Sequence, residues 1–149
     1  MSKIEHKEIK IDFQIKSIEL LKGSINLPST PDVSLTNFTF NINLENKADP
    51  SSKMLFVIVT VEIMSEDQNH ILGSLVASCI YEVANFEEII KIEENGRLNI
   101  PQQISEIFNS ISISTTRGMM FSTFKGTFLH NAILPIIDPR SFKSNVIAG

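Results

Sequence analysis

The side chains best suited to chemistry in this chain are three histidines, one cysteine and two short acidic runs. His6, His70 and His130 have no partner at metal-ligand spacing. A lone imidazole in a polar loop, as His70 is, is more often a solvated side chain than a general base. Cys79 falls in an apolar strand phase, where a thiol packs as a small hydrophobe and stays unreactive. Glu87-Glu88 and Glu93-Glu94 suggest an acidic pair, but charge runs of this kind usually form a solvated face. The stretch TTRGMM lacks the spaced glycines that cradle phosphate, and no G-x-S-x-G turn is present. An enzyme is therefore the weakest class, open only to a site assembled from distant residues. Neither a cofactor nor a metal is expected.

The bulk properties exclude further classes. A chain of 149 residues, 42% hydrophobic and 20% charged, fits one globular domain over residues 1–149. The net charge is −4, and the 13 basic residues are scattered apart from a loose cluster at Lys3, Lys7 and Lys10. That is no footprint for nucleic acid. A single cysteine rules out an internal disulfide. The longest apolar stretches fall short of the roughly 20 residues a membrane helix needs. The charged N-terminus carries no signal-like apolar run, so the expected location is the cytoplasm.

With little chemistry to position, the elements matter for their surfaces. In FQIKSIELLKGSINLPSTP, Ile9, Ile11, Phe13 and Ile15 alternate with polar residues. The phase then slips, and Ile18 and Leu20 carry the apolar face. This is a long strand that breaks its own register before Pro28 and Pro31 stop it. Residues 36–45 alternate cleanly: Phe38, Phe40, Ile42 and Leu44 face one way, and Thr39, Asn41, Asn43 and Glu45 the other. Residues 53–64 are apolar on both faces for most of their length, and a strand like that is covered on both sides, by a helix or by another chain. After the polar loop SEDQNH, residues 71–83 return as a fourth strand.

A charged segment, NFEEIIKIEENGR, allows one or two helical turns. Pro101 can open a helix, and Ile104, Ile107, Phe108, Ile111, Thr115, Gly118, Met119 and Ser122 follow helical spacing. SISIS inside this segment alternates like a strand, and Ser, Thr and Ile are poor helix formers. The length of the pattern favours helix, from Pro101 to Phe124, with Gly126 as its stop. The tail ILPIIDPRSF, broken by Pro135 and Pro139, reads as extended.

The apolar surface of strand 53–64, of Met119-Met120-Phe121 with Phe124, of Phe128-Leu129 and of ILPII exceeds what one sheet and one helix hide. Such excess usually marks protein contacts. Val57, Val59, Val61, Phe108 and Ile111 are the expected oligomer interface. A sharper expectation is a groove for other polypeptides, walled by Phe38, Phe40, Ile42 and Leu44 on the sheet and Met119, Met120 and Phe124 on the helix. Met and Phe suit adaptable, low-specificity binding. The competing reading makes the Phe38–Leu44 stripe simply core.

Three short motifs, in order, carry a resemblance. Phe13, Gln14, Ile15, Ile18, Pro28 and Pro31 form F-Q-I-x-x-I with a following P-x-x-P. Val59-Thr60-Val61, Leu72 and Ile80-Tyr81 mark a hairpin. Arg117, Gly126-Thr127-Phe128 and Leu134-Pro135-Ile136 mark a helix and the segment after it. Together they resemble the SecB protein-export chaperone family over residues 10–137, with one deletion between Arg117 and Gly126.

The resemblance implies an α+β fold: a four-stranded antiparallel Greek-key sheet with a long C-terminal helix. It implies a dimer or tetramer that holds unfolded polypeptides in apolar grooves without ATP, for protein transport or, in some relatives, for the antitoxin of a toxin–antitoxin pair. It also marks departures. Lys22, Asn26 and Ser74 stand where acidic groups of export members dock the motor SecA, so SecA binding is expected to be weak or lost. Gly118 replaces the glutamate of an Arg-Glu pair, and the tail lacks a zinc motif. The alternative to a chaperone is an interaction protein whose apolar surface serves self-assembly alone.

Overall fold

The structure, a computed structural model, describes residues 10–28 and 35–138. Four long strands, β1 (Phe13–Ile25), β2 (Phe38–Asp49), β3 (Met54–Ser65) and β4 (Ile71–Val83), form one antiparallel sheet in the order β1-β4-β3-β2. Strands β2, β3 and β4 follow one another through hairpins, and β1 crosses to the far edge beside β4. This is the expected Greek key. After β4 come a single helical turn, α1 (Phe86–Ile89), a small hairpin of β5 (Lys91–Ile92) and β6 (Leu98–Asn99), and the long helix α2 (Gln102–Thr123). The charged segment expected to hold one or two helical turns holds a single one, followed by the β5–β6 hairpin, which turns at Gly96 with φ +81°.

Local chemistry closes the hairpins. The Asp49 carboxylate accepts the hydroxyls of Ser51 and Ser52, each at 2.7 Å, and Lys53 turns the chain at φ 56°. Those hydroxyls hold the Asp49 carboxyl below the usual carboxylate range. The β3–β4 turn uses Gln68 at φ 62°, with the Ser65 N–H donating to the His70 carbonyl at 2.9 Å.

The first strand behaves as its phase slip predicts. Register shifts fall between Ile15 and Ser17 and again between Leu20 and Lys22. The first bulge moves Ile18 and Leu20 onto the face that Phe13 and Ile15 held. The second returns Gly23 and Ile25 to it. All of these pair with the same face of β4, through Tyr81, Cys79, Ala77, Leu75 and Gly73. Pro31, Ile9 and His6 lie outside the described residues, as does Pro139.

That face holds the core. Leu55, Val57, Val59, Val61 and Ile63 of β3, and Leu75, Ala77, Cys79, Tyr81 and Val83 of β4, have no solvent exposure. α2 lies across them, seated by Ile104, Phe108, Ser112, Thr116 and Met120 at helical spacing. Its burial pattern overrides the strand-like composition of SISIS. Pro101 stands at its N-cap and Phe124 at its C-cap, with Gly126 at φ +81° just beyond. The other face of the sheet, with Phe56, Ile58, Val76 and Ile80 half-buried at its centre, has no helix over it among the described residues. Cover on both faces of β3, by a helix or by another chain, is the expectation; among the described residues α2 lies over one of them.

Candidate functional site

Side-chain contacts fix which way α2 faces. The Phe108 ring meets Phe13 of β1 at 4.9 Å, and the Ser112 and Thr115 hydroxyls sit beside the Cys79 thiol of β4. This flank of the helix therefore turns toward β1. Burial raises the Cys79 thiol above its ordinary range, so the side chain is an inert part of the packing.

Between that flank and the β1 edge lies an open apolar shelf. Its floor is Ile15, Ile18 and Leu20, exposed by 44%, 46% and 48%. Its wall is Ile107, Ile111, Thr115, Gly118 and Ser122, one helical row without a charge. Met119 is half-buried beside it. Leu21, Ile25 and Leu27 extend the exposed apolar run along the strand. The outer hydrogen-bonding edge of β1 has no neighbouring strand among the described residues. An edge of this kind, flanked by apolar side chains, is a template for adding an extended segment.

On the opposite flank the helix is occupied. Arg117 lies two residues beyond Thr115, about 200° around the helix, and so leaves on the side of β3 and β2. Its guanidinium donates to the Leu134 carbonyl at 2.7 Å and the Pro135 carbonyl at 2.8 Å. The chain after α2 thus folds back along the helix, with Leu129, Ala132 and Leu134 buried and Ile137 packed against the core. Leu129 seats over Gly73, where a Cβ would come within 2.5 Å of its Cδ1 and 3.0 Å of the Ser24 carbonyl.

The site residues expected from sequence divide accordingly. Phe38, Phe40, Ile42 and Leu44 face the helix side and are half-buried against the core. Met120 and Phe124 are each only 1% exposed, so they are core and do not line an accessible groove. Val57, Val59, Val61 and Phe108, expected at an oligomer interface, are enclosed within the chain itself; only Ile111 of that set reaches the shelf. The physical reason is that β3 is central, and α2 covers one of its faces completely. The sequence expectation did not include the shelf, although the slip at Ile18 and Leu20 was its signal: apolar residues kept on one face of an edge strand by a bulge.

Comparison with solved structures decides the architecture. The chain superposes on the SecB-like chaperone Rv1957 of Mycobacterium tuberculosis, determined in complex with a ChAD peptide from the antitoxin Rv1956 HigA1, with a TM-score of 0.50. The fold is SecB-like. The match has 12% sequence identity and covers 83% of each chain. No protein-family model matches the sequence, and no curated protein does.

Lys22, Asn26 and Ser74, the positions expected from the resemblance to stand in place of docking acids, lie together near one end of β1 and β4. Lys22 pairs with Val76, the Ser74 and Ser24 hydroxyls meet at 2.7 Å, and the Asn26 amide donates to the Ile71 carbonyl at 3.3 Å. Among the described residues no group of three or more His, Cys, Asp or Glu side chains is placed to hold a metal ion. Among the same residues no helix is long and apolar enough to cross a membrane.

Proposed function

We propose that this chain is a SecB-like holding chaperone that binds extended apolar segments of unfolded or partly folded polypeptides without ATP. One observation carries the reading: Ile15, Ile18 and Leu20 stand about half exposed on a strand edge without a neighbour among the described residues, beside an uncharged flank of α2. A client strand laid there gains main-chain hydrogen bonds from β1 and buries its apolar side chains on the shelf. The absence of charge in the wall tolerates many sequences. The peptide-bound state of the SecB-like neighbour supports the same reading.

The shelf also suits a second copy of the chain, and a dimer or tetramer formed through β1 and α2 is part of the proposal. An antitoxin is one client class compatible with it. Work in the cytoplasm fits the composition. Coupling to export through SecA does not, because Lys22, Asn26 and Ser74 offer no acidic surface.

The test combines light scattering with aggregation assays. Suppression of aggregation of a chemically unfolded protein at near-equimolar ratio, without nucleotide, supports the proposal. A stable oligomer that leaves aggregation unchanged identifies an interaction protein whose apolar surface serves self-assembly alone.

A further inference from the structure

Arg117 is a charged residue in the last third of a helix with few charges, and both carbonyls it binds belong to one segment, Leu134-Pro135. Proline at 135 fixes that segment against helix and removes one main-chain donor. Ala132, Ile133 and Leu134 alternate at 4%, 58% and 1% exposed, and the phase breaks at Pro135, leaving Ile136 96% exposed while Ile137 packs back on the core. It is therefore an apolar segment, held in cis against α2 by a guanidinium that takes only main-chain oxygens from it; its third contact, to the Ser114 hydroxyl at 3.5 Å, lies within the helix. Two buried acceptors on the strap side of the helix and on β2 lack donors among the described residues: Asn109 Oδ1 and Asn46 Oδ1. Main-chain N–H groups are the chemistry that such acceptors ask for.

We infer that Arg117 is a latch, holding residues 132–137 as an internal strap in a seat that an external extended, apolar polypeptide segment can take over. The inference rests on the holding function proposed above and adds its control. An incoming segment displaces the strap by burying its own apolar side chains where Ala132 and Leu134 sit, and the half-buried Arg117 guanidinium returns to water. The strap lowers the apparent affinity of this seat and sets a threshold that short or weakly apolar segments do not pass. The shelf at β1 is a separate surface on the other flank of α2.

The experiment uses the full chain with an environment-sensitive fluorophore at Ile136→Cys, a solvent-facing position; the native Cys79 is buried and stays unlabelled. The client is reduced, carboxymethylated α-lactalbumin, which cannot refold. Client addition changes the probe signal, and Arg117→Ala binds the client about threefold to tenfold more tightly, as expected for releasing two charge-assisted hydrogen bonds at a partly exposed site. Arg117→Lys, which keeps the charge but not the planar fork, falls between. Client bound with equal affinity by all three chains, with a silent probe, overturns the latch and leaves the holding function standing. Client bound by none of them overturns the holding function and the latch together. Binding by Arg117→Ala alone supports the latch in its strongest form.

Discussion

The hydroxyls of Tyr81 on β4 and Ser112 on α2 meet at 2.7 Å inside the core. The Tyr81 ring is boxed by Phe108 at 4.8 Å and Phe13 at 6.0 Å, so one side chain ties the edge strand, a central strand and the helix. With the longer bond from the Tyr81 hydroxyl to the Phe108 carbonyl at 3.4 Å, it helps fix the sliding position of α2 on the sheet, because the ring contacts around it are apolar and less directional. Tyr81→Phe should lower stability by about 1 kcal/mol. In the double variant with Ser112→Ala the two losses should be less than additive, since no hydroxyl is left unpaired. Additive losses in denaturant titrations would show that the bond has no role.

The same tyrosine predicts a pH response. Burial raises the phenol well above its ordinary range of about 10. The unfolded chain ionises first, so this contribution to stability is full below about pH 10 and is lost as pH climbs toward the native value. Tyr81 is the single tyrosine of the chain and no tryptophan is present. Phenolate absorbance should therefore appear together with alkaline unfolding. A reversible titration in the ordinary range, with the circular dichroism intact, contradicts this.

Two glycines should respond in opposite directions. Gly73→Ala forces Leu129 off its seat and crowds the Ser24 carbonyl, costing about 1–3 kcal/mol. Gly118 lies within α2 with open space around its Cβ direction, so Gly118→Ala should stabilise by up to about 1 kcal/mol through helix propensity. Paired thermal melts read both signs.

Charge should separate the shelf from the core. Ile18→Lys or Leu20→Lys places an ammonium at a half-exposed position, so the monomer fold should persist while client holding or assembly falls. Val59→Asp, with no exposure, should cost several kcal/mol and abolish folding. Aggregation assays, light scattering and melting on the same variants test the contrast. Unchanged holding and assembly in the Ile18 and Leu20 variants would remove the shelf as the binding surface.

SecA should bind weakly or not at all. Restoring acids at Lys22, Asn26 and Ser74 together should raise the association rate, and added salt should shrink the gain. Submicromolar affinity of the unaltered chain at physiological salt overturns the reading.

Much of this fold was legible in the residues, for identifiable reasons. Alternation gave β2 through Phe38 to Leu44, and helical spacing gave α2 to within a residue at each end. The slip after Ile15 revealed the first bulge. The second bulge, at Leu21, was hidden because leucine and lysine there fit either phase. The β5–β6 hairpin was hidden because its strands are two residues each, too short for any period. The site was less legible. Apolar side chains mark core and binding surface alike, and only the order of strands decides which is covered. Val57 and Met120 proved internal because β3 is central. Ile15 and Ile18 proved accessible because β1 is an edge. The backward course of residues 132–137 depends on Arg117 recognising carbonyls, which leave no trace in a sequence.

The crossover that sets β1 beside β4 has a consequence during synthesis. Phe13 pairs with Val83 and Gly23 with Leu75, while β2, β3 and β4 pair through near neighbours in the chain. The meander can close as soon as it emerges from the ribosome, but β1 is made first and must wait for its neighbour. At about 5–20 residues per second that wait is roughly 3–14 s. For that interval a thirteen-residue strand bearing Ile15, Ile18 and Leu20 is exposed and unpaired. Under the proposed holding function each newborn copy is briefly the kind of polypeptide that finished copies would hold, and mature protein would shelter the next chain until its fourth strand arrives.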